Sequence, residues 1–459
     1  MTEHFKLSDR ARNVFFGMIA LGVVGMILTF FLYPENHHSR FWSNLLLNTY
    51  MFTGISLVGL FFVAGHQQGW GGWITALKRV PEAIASFIYV ITFFGVLIII
   101  GTYLDWHNLY AHWSQHQDDP AIKGKSALLN KNTWSAINLI FYGLWVLLIF
   151  WYRKTSQDED NGTVYALNLR KLRKIAAIFL VVFGVSESIF SWTFVMSIDP
   201  HWYSTLFGWY NFASYTCAGI AFMVLIVLYL KSRGYLKLVN ENHLHDLGTF
   251  MFGFTVFWMY LWFSQFMLQW YANVPEDTIF WTKRWNVGWF KFWFYAVLIL
   301  NFLIPFLFLL GRGAKRRNGR MVLMALVIIC GHYMDFYNLI MYEPNALEHE
   351  HKMHEEKKEG MLKKEGAVLY ANAEHGTSDS KVEEKKEGST EHKAVGEEHK
   401  VGAHEEHAAT HHAGLGFPEI TMFIGFIGMF LFWVFSTLGK GSLVPKNDAY
   451  LKESMNHHI

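Results

Sequence analysis

The sequence of 459 residues contains little cysteine and little charge. Its two cysteines, Cys217 and Cys330, both lie in apolar runs, so they predict no disulfide framework and are too few to ligate an iron–sulfur cluster. The chain has no CxxCH motif, which excludes covalent attachment of a c-type haem. A net charge of +2 gives no basis for nucleic-acid binding, so nucleic acid is not expected among the partners.

The charge is sparse and unevenly placed. Charged residues make up 17% of the chain, whereas about 25% is typical of soluble domains. Many of them fall in one stretch, residues 343–416, which is rich in Glu, Lys and His. Hydrophobic residues reach 52% and aromatic residues 18%. Outside the charged stretch, the composition is therefore typical of a membrane protein.

Ten apolar runs are long enough to cross a bilayer, whose core of about 30 Å requires about 20 helical residues. Runs of this length do not fit the strands of a membrane barrel, which need only about ten residues. The sequence therefore predicts an all-α polytopic membrane protein with ten transmembrane helices. The runs are residues 13–33, 45–66, 84–104, 133–152, 175–198, 209–231, 246–271, 288–311, 319–341 and 417–438.

These runs divide the chain into three parts. Residues 1–342 form a membrane domain with spans one to nine, residues 343–416 a charged low-complexity outer loop, and residues 417–459 the tenth span with a cytoplasmic tail. The first run ends without a small-residue cleavage site, so we expect it to be retained as a span. The loop has too few large apolar residues to bury a core, which predicts a solvated tether. Its ten histidines could bind metal loosely, but no metal site is predicted.

The distribution of Lys and Arg predicts the orientation of the spans. The side that carries both termini has 22 of these residues in its tails and short loops, and the other side has six. Short cytoplasmic loops are enriched in Lys and Arg, whereas long loops are translocated regardless of charge. We therefore expect both termini in the cytoplasm and the long loop outside.

Glu187 is the most unusual residue within a predicted span, because it lies near the middle of the fifth. An ionisable side chain in a span costs about 2.5–3.5 kcal/mol on the insertion scale, so it requires a reason. One interpretation is a carboxylate that relays protons. The alternative is a protonated glutamate that makes a structural hydrogen bond to a neighbouring helix.

A second ionisable site lies in the ninth span, where His332 and Asp335 are three residues apart and share one helix face. They are interpreted either as a His–carboxylate pair that accepts or passes protons, or as a polar pair that holds helices together. A haem b would need two histidines facing each other at matching depth, and the spans contain no such pair. No haem and no covalently bound cofactor is therefore expected in this chain.

Acidic residues recur at the predicted outer ends of the spans, where they could receive protons. They are Asp105, Asp199, Glu276 and Asp277. Together with Glu187, His332 and Asp335 they form the candidate proton path, and no residue is assigned a catalytic role. The inner half of the spans has no equally clear carboxylate. A half-channel ending near Glu187 is therefore favoured over a full path.

Two segments resemble a known family. They are Met196-Ser-Ile-Asp-Pro-His-Trp-Tyr-Ser-Thr-Leu-Phe-Gly208 and Phe263-Ser-Gln-Phe-Met-Leu-Gln-Trp-Tyr-Ala-Asn-Val-Pro-Glu276. They are similar to the ActF-type membrane subunit of bacterial alternative complex III, a quinol:cytochrome c oxidoreductase, within the NrfD/PsrC-like family. The resemblance extends to the number and orientation of the ten spans. It implies two four-helix bundles, spans two to five and six to nine, plus two flanking helices.

The resemblance also implies a function in the bacterial inner membrane. The chain would be a subunit of a respiratory complex that supports quinol oxidation and proton translocation, with quinol or quinone at an interface with a partner subunit. Its partners would be a sister NrfD-like subunit, membrane and periplasmic subunits that carry c-type haems and iron–sulfur clusters, and lipids. Two alternatives stay open from the sequence: a structural membrane subunit without chemistry, and an independent ion or solute transporter. The long His/Glu/Lys loop departs from a minimal family member.

Overall fold

The computed structural model describes residues 3–115, 119–160, 162, 165–286, 288–342 and 415–457. The predicted all-α class is confirmed, because 81% of the described residues are helical and none of them forms a strand. Most of the predicted outer loop, residues 343–414, lies outside the described residues. The helices are α1 (Asp9–Leu32), α2 (Glu35–Gln68), α3 (Arg79–Ala85), α4 (Ile88–Tyr103), α5 (Ala111–Ser114), α6 (Pro120–Lys123), α7 (Lys131–Asp160), α8 (Tyr165–Phe194), α9 (Leu206–Ser232), α10 (Glu241–Ala272), α11 (Pro275–Asn286), α12 (Gly288–Leu298), α13 (Ile304–Leu309), α14 (Arg312–Lys315), α15 (Asn318–Ile340), α16 (Phe417–Leu438) and α17 (Leu451–Met455).

Ten helical segments among the described residues are long and apolar enough to cross a membrane, as the sequence predicts. Eight of them form two bundles of four. The first bundle contains α2, α3 with α4, α7 and α8, and the second contains α9, α10, α12 with α13, and α15. The two remaining spans, α1 and α16, pack against each other beside the bundles. The chain is therefore a pair of four-helix bundles with two flanking helices.

Small residues allow α1 and α16 to approach closely. A Cβ atom on Gly22 would lie 2.5 Å from the Gly425 Cα, and one on Gly25 would lie 2.1 Å from the Thr421 hydroxyl oxygen. Close packing through small residues is a common way to associate helices where lipid weakens the hydrophobic driving force. The pair packs onto the first bundle through α16, which contacts α2 and α3.

The two bundles meet along α2, α8 and α9. In the apolar part of the span, 94% of α2 and 89% of α9 is buried, whereas only 22% of α1 is. Polar groups on the inward faces of α2 and α9 are therefore enclosed by protein. This position makes the contact between the bundles the place where buried polar side chains can interact.

The span formed by α12 and α13 is interrupted within the second bundle. Ile299–Leu303 adopts a π-helical turn, and Pro305 follows near the start of α13. Asn301 in this turn is fully buried and faces α15, where a Cβ atom on Gly331 would lie 2.1 Å from its side-chain oxygen. Single π-helical turns are frequent at functional sites. This one places an amide beside the helix that carries His332 and Asp335.

Both ends of the chain meet at one face of the bundles. The Glu3 carbonyl accepts a hydrogen bond from the Leu443 backbone N–H at 2.8 Å, and His4 forms a bridge with Ser442. We call this the terminal face. The opposite face carries the C-terminal ends of α4, α8 and α10, and therefore the predicted outer acidic residues.

Candidate functional site

Asp335 is the centre of a buried polar group in the second bundle. Its carboxylate accepts hydrogen bonds from three side chains on two other helices: the Tyr210 hydroxyl, the Ser214 hydroxyl at 2.9 Å and the Trp258 indole N–H at 3.1 Å. Tyr210 and Ser214 are four residues apart on α9 and therefore share a helix face. These donors compensate for the cost of placing a carboxylate where only 3% of the residue is exposed.

His332 joins this group through Ser214. The Ser214 oxygen is 2.9 Å from His332 Nδ1, whereas His332 Nδ1 and Asp335 Oδ2 are 3.9 Å apart. A serine hydroxyl has one hydrogen. When Ser214 donates it to Asp335, His332 Nδ1 must carry the proton and donate to Ser214. Ser214 is thus the link between the two residues that the sequence placed on one helix face.

The other ring nitrogen of His332 has no hydrogen-bond partner in the described part of the chain. His332 is fully buried, and its Nε2 makes no hydrogen bond to any described residue. With Nδ1 as donor, Nε2 of the neutral ring is an acceptor and becomes a donor on protonation. A proton gained at Nε2 allows the Nδ1 proton to leave toward Ser214 and Asp335. His332, Ser214 and Asp335 therefore follow one another in the order in which a proton relay would use them.

A small cavity adjoins the other side of the Asp335 carboxylate. Its volume is about 30 Å³, and polar side chains of Tyr210, Gln265, Arg284 and Asn338 contribute to its lining. A cavity that holds one water molecule needs about 10–15 Å³ by the same kind of measure. The side-chain oxygens of Gln265 and Asn338 accept no hydrogen bond from the residues that the structure describes. The cavity therefore has both the size and the polar groups to hold water beside Asp335.

Arg284 gives this cavity a positive charge. The guanidinium of this buried residue donates to the Phe280 carbonyl at 2.9 Å and to the Asn338 carbonyl at 3.2 Å. The contact with Asn338 joins α11 to the last turns of α15, three residues beyond Asp335. The guanidinium is thereby fixed in the wall of the cavity that adjoins Asp335.

Glu187 forms a second buried group, in the first bundle. Its carboxylate accepts hydrogen bonds from Ser191 at 3.0 Å and from Ser188 at 3.3 Å. Tyr50 on α2 lies 2.6 Å from the Ser191 oxygen. Because the single Ser191 hydrogen is directed to Glu187, Tyr50 donates to Ser191. The Tyr215 phenol approaches the same carboxyl from α9 without a hydrogen bond of standard geometry.

Consecutive residues of α9 reach the two groups. Ser214 bonds to Asp335, and Tyr215 lies beside Glu187. Gly54 on α2 makes the second placement possible, because a Cβ atom there would lie 2.3 Å from the Tyr215 ring. No hydrogen bond between described residues connects the two groups directly. They are neighbouring polar sites on either side of one helix.

The predicted outer carboxylates have separate surroundings. Asp105 pairs with Lys131 at 2.6 Å, and Asp199 lies near Lys125. Asp277 is in the first turn of α11, and the side chain of Glu276 lies outside the described residues. Among the side chains that are described, no contact joins these carboxylates to one another. The structure therefore brings together His332 and Asp335 and leaves the outer carboxylates apart.

The sequence interpretation missed the residues that complete both groups. They are Tyr210, Ser214 and Trp258 around Asp335, and Tyr50, Ser191 and Tyr215 around Glu187. The spacing of Tyr210 and Ser214 on one face of α9 was the available signal. Hydroxyl and indole groups are common in membrane helices, so that spacing alone did not distinguish them.

A third polar group lies at the terminal face and consists of ion pairs. Arg79 binds Glu82 at 2.7 Å and also pairs with Asp160, and Lys78 binds Asp448 at 2.9 Å. Lys78 lowers the pKa of Asp448 from its usual value, against the opposing effect of burial. These contacts join α3, α7 and the C-terminal segment. Their pairing is typical of a structural cluster.

Comparisons with known proteins identify no family. No family model matches the chain, and no curated protein matches it significantly. No group of three or more His, Cys, Asp or Glu side chains suited to a metal ion occurs within the described ranges. The two buried carboxyl groups and their partners are therefore the features of this chain that point to a function.

Proposed function

We propose that the chain is an integral membrane subunit of a bacterial respiratory quinol:cytochrome c oxidoreductase complex, in which it transfers protons. The observation that carries the proton role is the ordered series of His332, Ser214 and Asp335, next to a cavity of about 30 Å³. The likeness of residues 196–208 and 263–276 to the ActF-type subunit supports the assignment to this complex. The predicted orientation, with both termini in the cytoplasm, fits the same proposal.

The proton step uses groups that exchange hydrogen-bond direction. A proton that arrives at His332 Nε2 releases the Nδ1 proton to Ser214, and Ser214 passes its own hydrogen to Asp335. Water in the adjoining cavity then accepts the proton from Asp335. Intramembrane His and carboxylate residues are characteristic of such relays. Glu187, Ser191 and Tyr50 form a similar series, in which a protonated Glu187 donates in the reverse direction.

Quinol oxidation itself is assigned to an interface with a partner subunit. The cavity beside Asp335 has room for about one or two water molecules, far less than a quinone ring needs. The polar side chains around the cavity can form hydrogen bonds with water and exchange protons with it. The c-type haems and iron–sulfur clusters of the proposed complex would belong to other subunits, because this chain has neither a CxxCH motif nor enough cysteines.

A structural subunit without chemistry is the second candidate. The observation in its favour is that Asp335, on α15, accepts three hydrogen bonds from side chains of α9 and α10. These bonds would hold the three helices together without any proton transfer. An independent transporter has less support. Such proteins often have paired discontinuous helices in corresponding halves. The first bundle is interrupted at Ser86–Phe87, between α3 and α4 in its second span, whereas the π-helical turn at Ile299–Leu303 lies in the third span of the second bundle, so the two breaks are not in corresponding helices.

Replacement of Glu187 by glutamine tests the proton role of the Glu187 series, because glutamine keeps the shape of the side chain and removes its titration. We expect the Glu187→Gln complex to assemble with its haem and iron–sulfur subunits, and to lose quinol turnover or its coupling to proton movement. Glu241→Gln, an exposed change at the start of α10, is the matched control. An assembled Glu187→Gln complex with normal turnover and proton stoichiometry would establish a structural role for Glu187. Purification without multihaem or iron–sulfur partners would refute membership in the complex.

A further inference from the structure

A basic pocket of about 390 Å³ opens at the terminal face. It lies between the start of α3, the end of α7 and the segment that follows α16. Its charged lining residues are Arg79, Glu82, Arg153, Asp160, Lys440 and Lys446. The pocket is outside both buried carboxyl groups, and the proposed proton transfer does not use it.

The charges in this pocket do not balance. Arg79 is paired with two carboxylates, Glu82 and Asp160, so the six charged lining residues carry a net charge of +2. No ion pair among the described residues joins Arg153, Lys440 or Lys446 to a carboxylate. Three cationic groups therefore surround a concave site at the level where the spans end. Such a site attracts an anion.

An apolar groove of about 630 Å³ lies beside this pocket on the surface of the first bundle. It runs between α4 and α7 and is lined by Tyr89, Gly143, Val146, Leu147 and Phe150. Gly143 has no atom within 4 Å of the position where its Cβ would be, so the groove is open there. The lining is almost entirely apolar, as required for an acyl chain.

The groove and the pocket are neighbours on either side of Arg153, which lines the pocket. Phe150 is one helical turn from Arg153 on α7. The Tyr89 hydroxyl, from the start of α4, contacts the Arg153 guanidinium. A ligand with an anionic head at Arg153 would therefore have its apolar part directed along α7 toward the middle of the span.

We propose that this composite site binds an anionic phospholipid of the leaflet at the terminal face, with the phosphate at Arg153, Lys440 and Lys446 and one acyl chain in the groove. Basic pockets between membrane helices on the cytoplasmic side bind anionic lipid head groups, and the terminal face is the side with the predicted excess of Lys and Arg. Charge complementarity selects the head group. A zwitterionic head group carries its own cation, which would be repelled by the cationic side chains of Arg153, Lys440 and Lys446.

Native mass spectrometry of the full-length protein tests this proposal. The protein, with any subunits that co-purify, is equilibrated in micelles with equal amounts of phosphatidylglycerol and phosphatidylcholine. We expect wild type to retain phosphatidylglycerol preferentially, and the triple variant Arg153→Gln, Lys440→Gln, Lys446→Gln to lose about tenfold or more of that preference. Lys440 and Lys446 are exposed, so the variant should fold.

A charge-matched control separates this site from general attraction to a basic surface. The variant Lys154→Gln, Lys171→Gln, Lys174→Gln removes the same charge from exposed positions on the same face, and it should retain the wild-type preference. An equal loss in this control, or unchanged retention in the first triple variant, would overturn the proposal.

The groove is tested separately by Gly143→Leu, which fills the open space and leaves all three cations in place. We expect it to weaken phosphatidylglycerol retention severalfold. Unchanged retention would show that no acyl chain occupies the groove. Inorganic phosphate at millimolar concentration is the last probe: displacement of the lipid by phosphate alone would identify a simple anion site and refute a phospholipid site.

Discussion

Replacement of Ser214 by alanine removes the hydroxyl that links His332 to Asp335. The Ser214 oxygen is 2.9 Å from each of the two atoms it joins, whereas His332 Nδ1 and Asp335 Oδ2 are 3.9 Å apart. A separation of 3.9 Å is too long for a hydrogen bond. Alanine therefore interrupts the series. His332 and Asp335 lie on the same helix, so a direct hydrogen bond between them would require a change of side-chain rotamer.

The expected cost to stability is moderate. Asp335 keeps its hydrogen bonds from Tyr210 and Trp258. Loss of one hydrogen bond to a charged group lowers the free energy of unfolding by about 1.5–3 kcal/mol, and alanine introduces no new atoms. The expected effect on proton transfer is larger, because a positioned proton-transfer group typically contributes about 10²–10⁴-fold to the rate. Function should thus fall much further than stability.

The assay measures quinol turnover and proton movement in the purified complex, with assembly and thermal midpoint as checks. Ser56→Ala is the matched control, because Ser56 is also fully buried but donates only to the Phe52 carbonyl within α2. We expect Ser214→Ala to assemble with strongly reduced proton transfer, and Ser56→Ala to resemble wild type. Normal turnover and proton stoichiometry in an assembled Ser214→Ala complex would refute the relay, and equal defects in both variants would indicate packing.

Three further predictions use different parts of the structure. Burial lowers the pKa of His107, which lies outside the spans, to about 4. The ordinary pKa of histidine is near 6.5, so between these two values the unfolded chain binds a proton that the folded chain does not. The free energy of unfolding is therefore highest above pH 6.5 and falls by up to roughly 3 kcal/mol as the pH falls toward 4. The difference in thermal midpoint between wild type and His107→Gln should therefore narrow as the pH falls, and a constant difference would contradict this. Gly54→Ala should displace Tyr215 and cost about 1–3 kcal/mol, whereas Gly143→Ala, which has open space, should be near neutral in the same thermal assay. If Glu187 and Ser214 act in one route, the Glu187→Gln, Ser214→Ala double variant should be no slower than the slower single variant, and multiplied defects would indicate separate routes.

The fold was predictable because membrane crossing imposes a length and a composition that can be read from the sequence. Each of the ten apolar runs corresponds to a span in the structure. The boundaries differ where helices extend beyond the apolar core. The seventh run was predicted at 246–271 and the helix is Glu241–Ala272, because Asn240 caps its N-terminus with hydrogen bonds to two backbone N–H groups. Such caps depend on local polar contacts that hydrophobicity does not report.

The candidate site was predictable in part, for a physical reason. Ionisable residues are conspicuous in apolar runs, and Glu187, His332 and Asp335 are all buried in the structure. Their partners Ser214 and Tyr215 lie on another helix. The sequence gives the depth of a residue in its span but does not give the rotation of the helix about its axis, which decides which neighbours a side chain meets. For the same reason, the sequence places Asp105 and Asp199 at the same depth, but in the structure their side chains do not contact each other.

The surroundings of the carboxylates favour a route that opens at the face opposite the termini. There, Asp335 adjoins a cavity lined by Arg284 and by unpaired amide oxygens. At the terminal face, Glu82 is held by Arg79 at 2.7 Å and by the Ser156 hydroxyl at 2.6 Å. Protonating a carboxylate in such a pair would weaken the neutralisation of a buried cation, which is costly, so Glu82 is a poor proton acceptor. We infer that protons enter or leave on the Asp335 side, as expected of a half-channel, and that any passage to the terminal face requires groups beyond these buried carboxylates.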